Sequence, residues 1–123
     1  MSEALEHSML CSYMRTNYPH VVFLSDASGI KMTMGQAIKW KGMRSGNGIP
    51  DLIILQPSKQ YYGLMIELKK TGEKIYKKDG SLKTDHLKEQ ATVLSILRIK
   101  GYKAEFAIGF YQARDLIIEY MKQ

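Results

Sequence analysis

Two short apolar runs joined by a turn, Ile49 to Leu55 and Tyr61 to Lys69, constrain this chain most. Both are of strand length, and Pro57-Ser58-Lys59-Gln60 between them is turn sequence, so the simplest arrangement is an antiparallel pair. Pro50 sits near the start of the first run, where a strand tolerates proline. Charge interrupts the second run: Ile66, Glu67, Leu68 and Lys69 alternate apolar with ionic. Side chains on a strand point alternately to its two faces, so Glu67 and Lys69 share one face while Ile66 and Leu68 share the other. If the neighbouring strand brings Asp51 to the same side, two carboxylates and an ammonium converge.

That trio suits one chemistry. Two carboxylates can hold Mg²⁺, a hard cation that prefers oxygen ligands and keeps several waters. Such a metal binds a phosphodiester oxygen and acidifies a water, and a lysine beside it orients that water or stabilises charge growing on the phosphate. Each piece alone has an ordinary explanation: an Asp after Pro is usually a turn residue, and an E-x-K triplet usually a solvated face. Their combination in two apolar strands favours catalysis. Gln90 adds a second signal, because it shares a helix face with Leu87, Leu94 and Leu97. A buried amide needs partners, and a structural bond and a site role explain it equally well. Glu6 is a third candidate, with Met9, Leu10 and Tyr13 on its face; Glu3, one turn earlier, competes with it. Taken alone, acidic residues there are best explained as complementing the helix dipole.

The 123 residues fit one domain, 1–123, able to bury a real core. A net charge of +6 favours polyanionic partners, nucleic acid first, although a merely basic soluble protein would share it. The single cysteine, Cys11, excludes an internal disulfide and a multi-cysteine metal site. With no membrane-length apolar run and no secretory start, it points to a reducing cytosol. Eight scattered methionines read as core filler.

Ser2 is expected to cap a helix running to Thr16 and ended by Tyr18-Pro19. Val21 to Leu24 reads as a strand, Asp26 to Gly29 as a turn, and Thr33 to Met43 as a short basic helix before the loop Arg44 to Gly48. Thr71 to Lys83, rich in glycine and lysine, is expected to be mobile. Thr84 or Asp85 caps a helix to Lys100, stopped by Gly101; Lys103 to Ile108 is a strand, and Ala113, Leu116, Ile117, Tyr120 and Met121 mark a last helix. This order describes an α/β three-layer sandwich around a mixed sheet, with the last strand returning through a helical crossover.

The ordered set, a helix glutamate, "GIPD", "YYGLMIELKK" and "HLKEQATVLSILRIKGY", resembles the VRR-NUC (virus-type replication-repair nuclease) domain of the PD-(D/E)XK nuclease superfamily. The resemblance covers nearly the whole chain and is to the stand-alone form of phages and bacteria. It implies a restriction-endonuclease-like α/β/α sandwich and Mg²⁺ or Mn²⁺ dependence. Asp51 and Glu67 would be metal ligands with the backbone carbonyl of Leu68, Lys69 the catalytic lysine, and Gln90 the glutamine near the metal. Glu6 best matches the helix glutamate, because Met9 and Tyr13 follow at the expected apolar positions. Two departures stand out. The glutamine that often follows the helix glutamate is an apolar residue here, and the asparagine that often precedes the insert helix falls in "SDASGIK", where Asp26 or Ser28 stands without an assigned role.

Stand-alone members of that family are associated with structure-specific DNA cleavage, including four-way (Holliday) junctions, and act as homodimers. The resemblance thus implies a deoxyribonuclease for branched DNA in the cytoplasm of a bacterial or phage-infected cell, with no membrane partner. Lys39, Lys41, Arg44 and the run from Lys69 to Lys83, Lys70 and Lys74 among them, would hold phosphates without reading sequence. Trp40 is expected in the core, with a DNA wedge or a dimer contact as alternatives. Competing readings are a nuclease for flaps, nicks or linear ends, a catalytically silent DNA-binding module, and a small basic scaffold.

Overall fold

The computed structural model describes residues 1–26 and 33–123. Helix α1 (Glu3–Asn17) starts where the Ser2 side chain accepts from the Leu5 amide. After it come β1 (Phe23–Ser25), α2 (Met34–Lys41), β2 (Leu52–Ile54), β3 (Leu64–Lys69), α3 (Asp85–Ile99), β4 (Lys103–Ile108) and α4 (Phe110–Met121). Thr33 and Gln36 cap α2 reciprocally, and the Thr84 hydroxyl accepts from the Leu87 amide to begin α3. Gly101 leaves that helix at φ +103, a conformation that side-chain-bearing residues rarely adopt. Among the described residues no helix is long and apolar enough to cross a membrane.

The strands form one mixed sheet in the order β1-β2-β3-β4. The first two pairings are antiparallel and the third is parallel. A parallel neighbour needs a crossover, and α3 supplies it. On one face Leu52, Ile54, Ile66 and Leu68 meet Leu10 and Met14 of α1 and Ile117 and Tyr120 of α4. On the other, Met65 and Ala104 meet Leu94 of α3, with Ile53 and Phe106 alongside. The expected three-layer α/β/α sandwich with a central mixed sheet is what forms. Paired on both edges and covered on both faces, β3 is buried at every residue from Leu64 to Lys69, Glu67 and Lys69 included.

Two segments differ from the expectation. Both central strands are shorter than their apolar runs, because Ser58 Oγ accepts from the amides of Gln60 and Tyr61 and holds the chain in the turn. Gly63 ends that turn where a Cβ would lie 2.8 Å from the Ile54 carbonyl oxygen, so no larger residue fits. Residues 70–83, read as mobile, follow a defined path in which Tyr76 bridges Leu82 and Ile75 is buried. The turn expected over Asp26 to Gly29 lies, beyond Asp26, outside the described residues, and Ser28 with it.

Candidate active-site cleft

Leu52 pairs with Ile66, and continuing that register sets Asp51 across from Glu67 and Pro50 across from Leu68. Proline has no N–H to give the ladder. Beside it the Asp51 side chain supplies an acceptor to β3, receiving the Leu68 amide on Oδ2 at 2.9 Å. This bond fixes the aspartate at the point where β2 stops and β3 runs on. Glu67 is held from the helical layer: Gln90 Nε2 on α3 donates to its Oε1 at 2.7 Å, and Lys69 Nζ lies 3.8 Å from the same oxygen. Asp51, Glu67, Lys69 and Gln90 are all buried. The sequence expectation that the sheet would bring the first three to one side, with Gln90 beside them, matches these positions.

The electrostatics of this group are unbalanced. Glu67 Oε2 and Gln90 Oε1 are buried and receive no hydrogen bond among the described residues. Burial, then the charge of Asp51, push the Glu67 carboxyl up to about 10, against the pull of Lys69. Two carboxylates packed this closely cannot both ionise unless a cation joins them. Among the described residues no cluster of three or more His, Cys, Asp or Glu offers a ready-made metal centre. The donor set is instead a carboxylate pair with an undonated buried oxygen. It fits a hard cation that keeps waters of its own and not a thiolate- or imidazole-bound metal.

The group opens into a cleft of about 430 Å³. From α1, Glu3 and His7 face it; from α3, His86 joins Gln90; from the end of β1 and the α2 side, Asp26 and Arg44 close it. Glu3 feels the same field, its carboxyl raised by partial burial and then by the charge of Asp51. Glu6, preferred over Glu3 in the sequence, does not line the cleft. Glu6 is buried away from the cleft and accepts from the Thr71 amide at 2.8 Å, the Thr71 hydroxyl at 2.5 Å and the Phe110 amide at 3.1 Å. Its carboxylate ties α1 to the end of β3 and the start of α4, and these donors leave it no call on the cleft. The helix carboxylate at the rim is Glu3.

The expected phosphate-binding cations divide. Lys39, Lys41, Lys70 and Lys74 are exposed. Arg44 forms an ion pair with Asp26 and lies over the Trp40 ring, 5.4 Å from its centre, while Trp40 Nε1 donates to Asp26 Oδ1 at 3.3 Å. Trp40 is therefore half-buried in a clamp at the cleft wall and not part of either core cluster. Sequence reasoning passed over His7 and His86. Both signals were present: His7 lies one turn after Glu3, and His86 one turn before Gln90, each on the face that meets the cleft. The Ser25 hydroxyl lies 2.7 Å from His7 Nε2 and fixes that ring.

A mixed four-stranded sheet between helices makes this an α/β protein, and its fold matches that of a VRR-NUC structure. The particular likeness is to a solved structure described as a "VRR_NUC domain protein", 25% identical, with a TM-score of 0.68, covering 99% of this chain and 89% of that one. No family model matches the sequence, and no curated protein matches it.

Proposed function

We propose that this chain is a Mg²⁺- or Mn²⁺-dependent deoxyribonuclease that hydrolyses phosphodiester bonds in branched DNA, four-way junctions foremost, as a homodimer in the cytoplasm of a bacterial or phage-infected cell. One observation carries the reading: Asp51 and Glu67 are buried side by side, one Glu67 oxygen lacks a donor, and Lys69 stands 3.8 Å from the other. The description of the structural neighbour as a VRR_NUC protein and the net charge of +6 support it.

The cation, held by Asp51, Glu67 and the Leu68 carbonyl, would supply Lewis acidity to the scissile phosphate and the attacking water. The protein's own groups do the remaining work. Leu68 N–H keeps Asp51 in place, and Gln90 keeps Glu67 in its rotamer. The Lys69 ammonium, buried and therefore weakly screened, meets the negative charge that grows on the phosphate. Glu3 and His7 at the rim would orient the strand entering from solvent. Exposed Lys39, Lys41, Lys70 and Lys74 hold flanking phosphates, and Arg44 joins them only by leaving Asp26.

The deciding experiment is cleavage of a labelled panel of duplex, single strand, flap, fork and four-way junction in Mg²⁺, Mn²⁺ and EDTA. Cutting that requires a divalent ion and is fastest on the junction is expected. Cutting of no substrate overturns the nuclease, cutting in EDTA overturns the metal dependence, and equal cutting of plain duplex overturns the branch preference alone.

A further inference from the structure

The chain leaves the cleft at Lys69 and comes back to it at His86. Everything between them starts and ends at residues that line the cleft. Ile75 is buried at the root, where the Lys83 amide donates to its carbonyl at 3.0 Å. At the tip, the Lys77 amide donates to the Ser81 carbonyl at 2.7 Å and the Gly80 amide to the Lys77 carbonyl at 3.0 Å, with Gly80 at φ +88. This is a three-residue hairpin loop closed by a glycine in the left-handed region. Asp79 is turned onto its own loop, accepting from the Ser81 amide at 3.0 Å and the Ser81 hydroxyl at 2.6 Å. Lys74, Lys77, Lys78 and Lys83 are exposed around it.

Amid these lysines stands Tyr76, 55% exposed. A singly exposed ring is ordinary on a protein surface. Its surroundings are not. The other exposed tyrosines, although more open to solvent, each have a partner: Tyr62 packs on Tyr102 with centres 6.0 Å apart, and the Arg114 guanidinium lies 5.0 Å from the centre of Tyr111. Among the described residues Tyr76 has no ring or cation against it. An uncovered aromatic face between cations, beside a cleft suited to phosphodiesters, is the arrangement by which proteins stack on nucleic-acid bases while holding the backbone.

We propose that the hairpin from Lys74 to Lys83 senses breaks in base pairing: its lysines grip phosphates, and Tyr76 stacks on a base left without a stacking neighbour at a discontinuity in the DNA. Bases inside an intact duplex present no free face, so Tyr76 favours branched over continuous DNA. The proposal rests on reading the cleft as a nuclease site and adds to it the element that selects the substrate.

The test uses the whole chain in EDTA, so that binding is measured without cleavage. With 2-aminopurine at the branch point of a four-way junction, wild-type protein should quench its fluorescence; the same base inside a duplex should be unaffected. Tyr76→Ala should lose the quench and bind the junction about tenfold more weakly, as expected for one lost stack, with duplex affinity unchanged. Tyr76→Phe should behave as wild type. Lys77→Ala with Lys78→Ala should weaken both DNAs alike and lower the salt slope by about two. In the wild type, 5-iodouridine at the branch point should crosslink to Tyr76, a readout independent of any substitution. Wild-type junction affinity and quench in Tyr76→Ala, or crosslinks confined to other segments, overturn the proposal. Cleavage is scored separately: if the wild type cuts no DNA in Mg²⁺ or Mn²⁺, the nuclease reading falls, and if Asp51→Asn cuts normally, the site lies elsewhere, while the binding data still decide the hairpin.

Discussion

Glu67 illustrates how one carboxyl can report on the whole site. Its ordinary value is 4.5, and burial beside Asp51 raises it to about 10. Between these values the unfolded chain ionises Glu67 while the fold keeps it protonated, so rising pH favours the unfolded state. Stability without metal should therefore fall, on account of this group, from about pH 5 to about pH 9. A bound divalent ion favours the ionised form and should restore stability by a margin that grows over the same interval. Melting at several pH values with and without Mg²⁺ checks this; a melting temperature indifferent to Mg²⁺ throughout would sink it. For catalysis, Asp51→Asn and Glu67→Gln should each abolish cleavage and leave metal-free DNA binding intact, measured by anisotropy. Lys69→Ala should slow cleavage by roughly two orders of magnitude or more with little change in metal affinity, which calorimetry would register. Asp51, Glu67 and Lys69 were legible because strand alternation is a strict geometric rule, and Gln90 because an amide on a leucine face is conspicuous. Glu6 and Glu3 were not separable in sequence. Both lie within the first turn of α1, and what distinguishes them is Thr71 and Phe110, residues remote in sequence that only the folded chain brings to Glu6.

Among the elements, α1 is held by Leu10 and Met14 in the core and, nearer its start, by that carboxylate. Burial alone would raise the Glu6 pKa, but the bonds from the Thr71 hydroxyl, the Thr71 amide and the Phe110 amide outweigh it and hold the group below its ordinary value. A depressed carboxyl contributes stability above its unfolded pKa that is lost as pH falls through the folded one. Glu6→Gln should therefore lose part of this contribution near neutral pH and flatten the acid limb of the stability curve. Glu6→Ala should cost about 2 kcal/mol or more in a denaturant titration, since two backbone amides lose a charged acceptor. If Glu6→Ala melts as wild type but no longer cuts, Glu6 belongs to the chemistry after all. The order of elements was readable because helix caps and apolar periodicity are local. The hairpin after β3 was not, because lysine and glycine content masked an Asp79-Gly80 turn signal and the one apolar anchor, Ile75.

At the scale of the whole molecule, the proposed function gives each chain one cleft that would cut one strand. A four-way junction has two-fold symmetry, and paired incisions match a C2 dimer. Sedimentation should show a dimer at working concentration. A mixed dimer of wild-type and Glu67→Gln subunits should nick one arm and rarely complete resolution, visible as accumulating nicked junction on a native gel. A monomer by sedimentation that still resolves junctions by symmetric paired cuts would refute this arrangement.

The order in which the sheet is built also times the appearance of the site. Asp51, Glu67 and Lys69 emerge midway through synthesis, but β3 acquires its parallel neighbour only when Lys103 to Ile108 arrive, and its second helical cover only with α4. Until then Glu67 and Lys69 lie on an uncovered edge in water, where their charges are screened and their positions loose. A nascent chain still on the ribosome thus carries every residue of the trio and none of its chemistry. Chains truncated just before Lys103 should leave junctions uncut in Mg²⁺ even where they remain soluble.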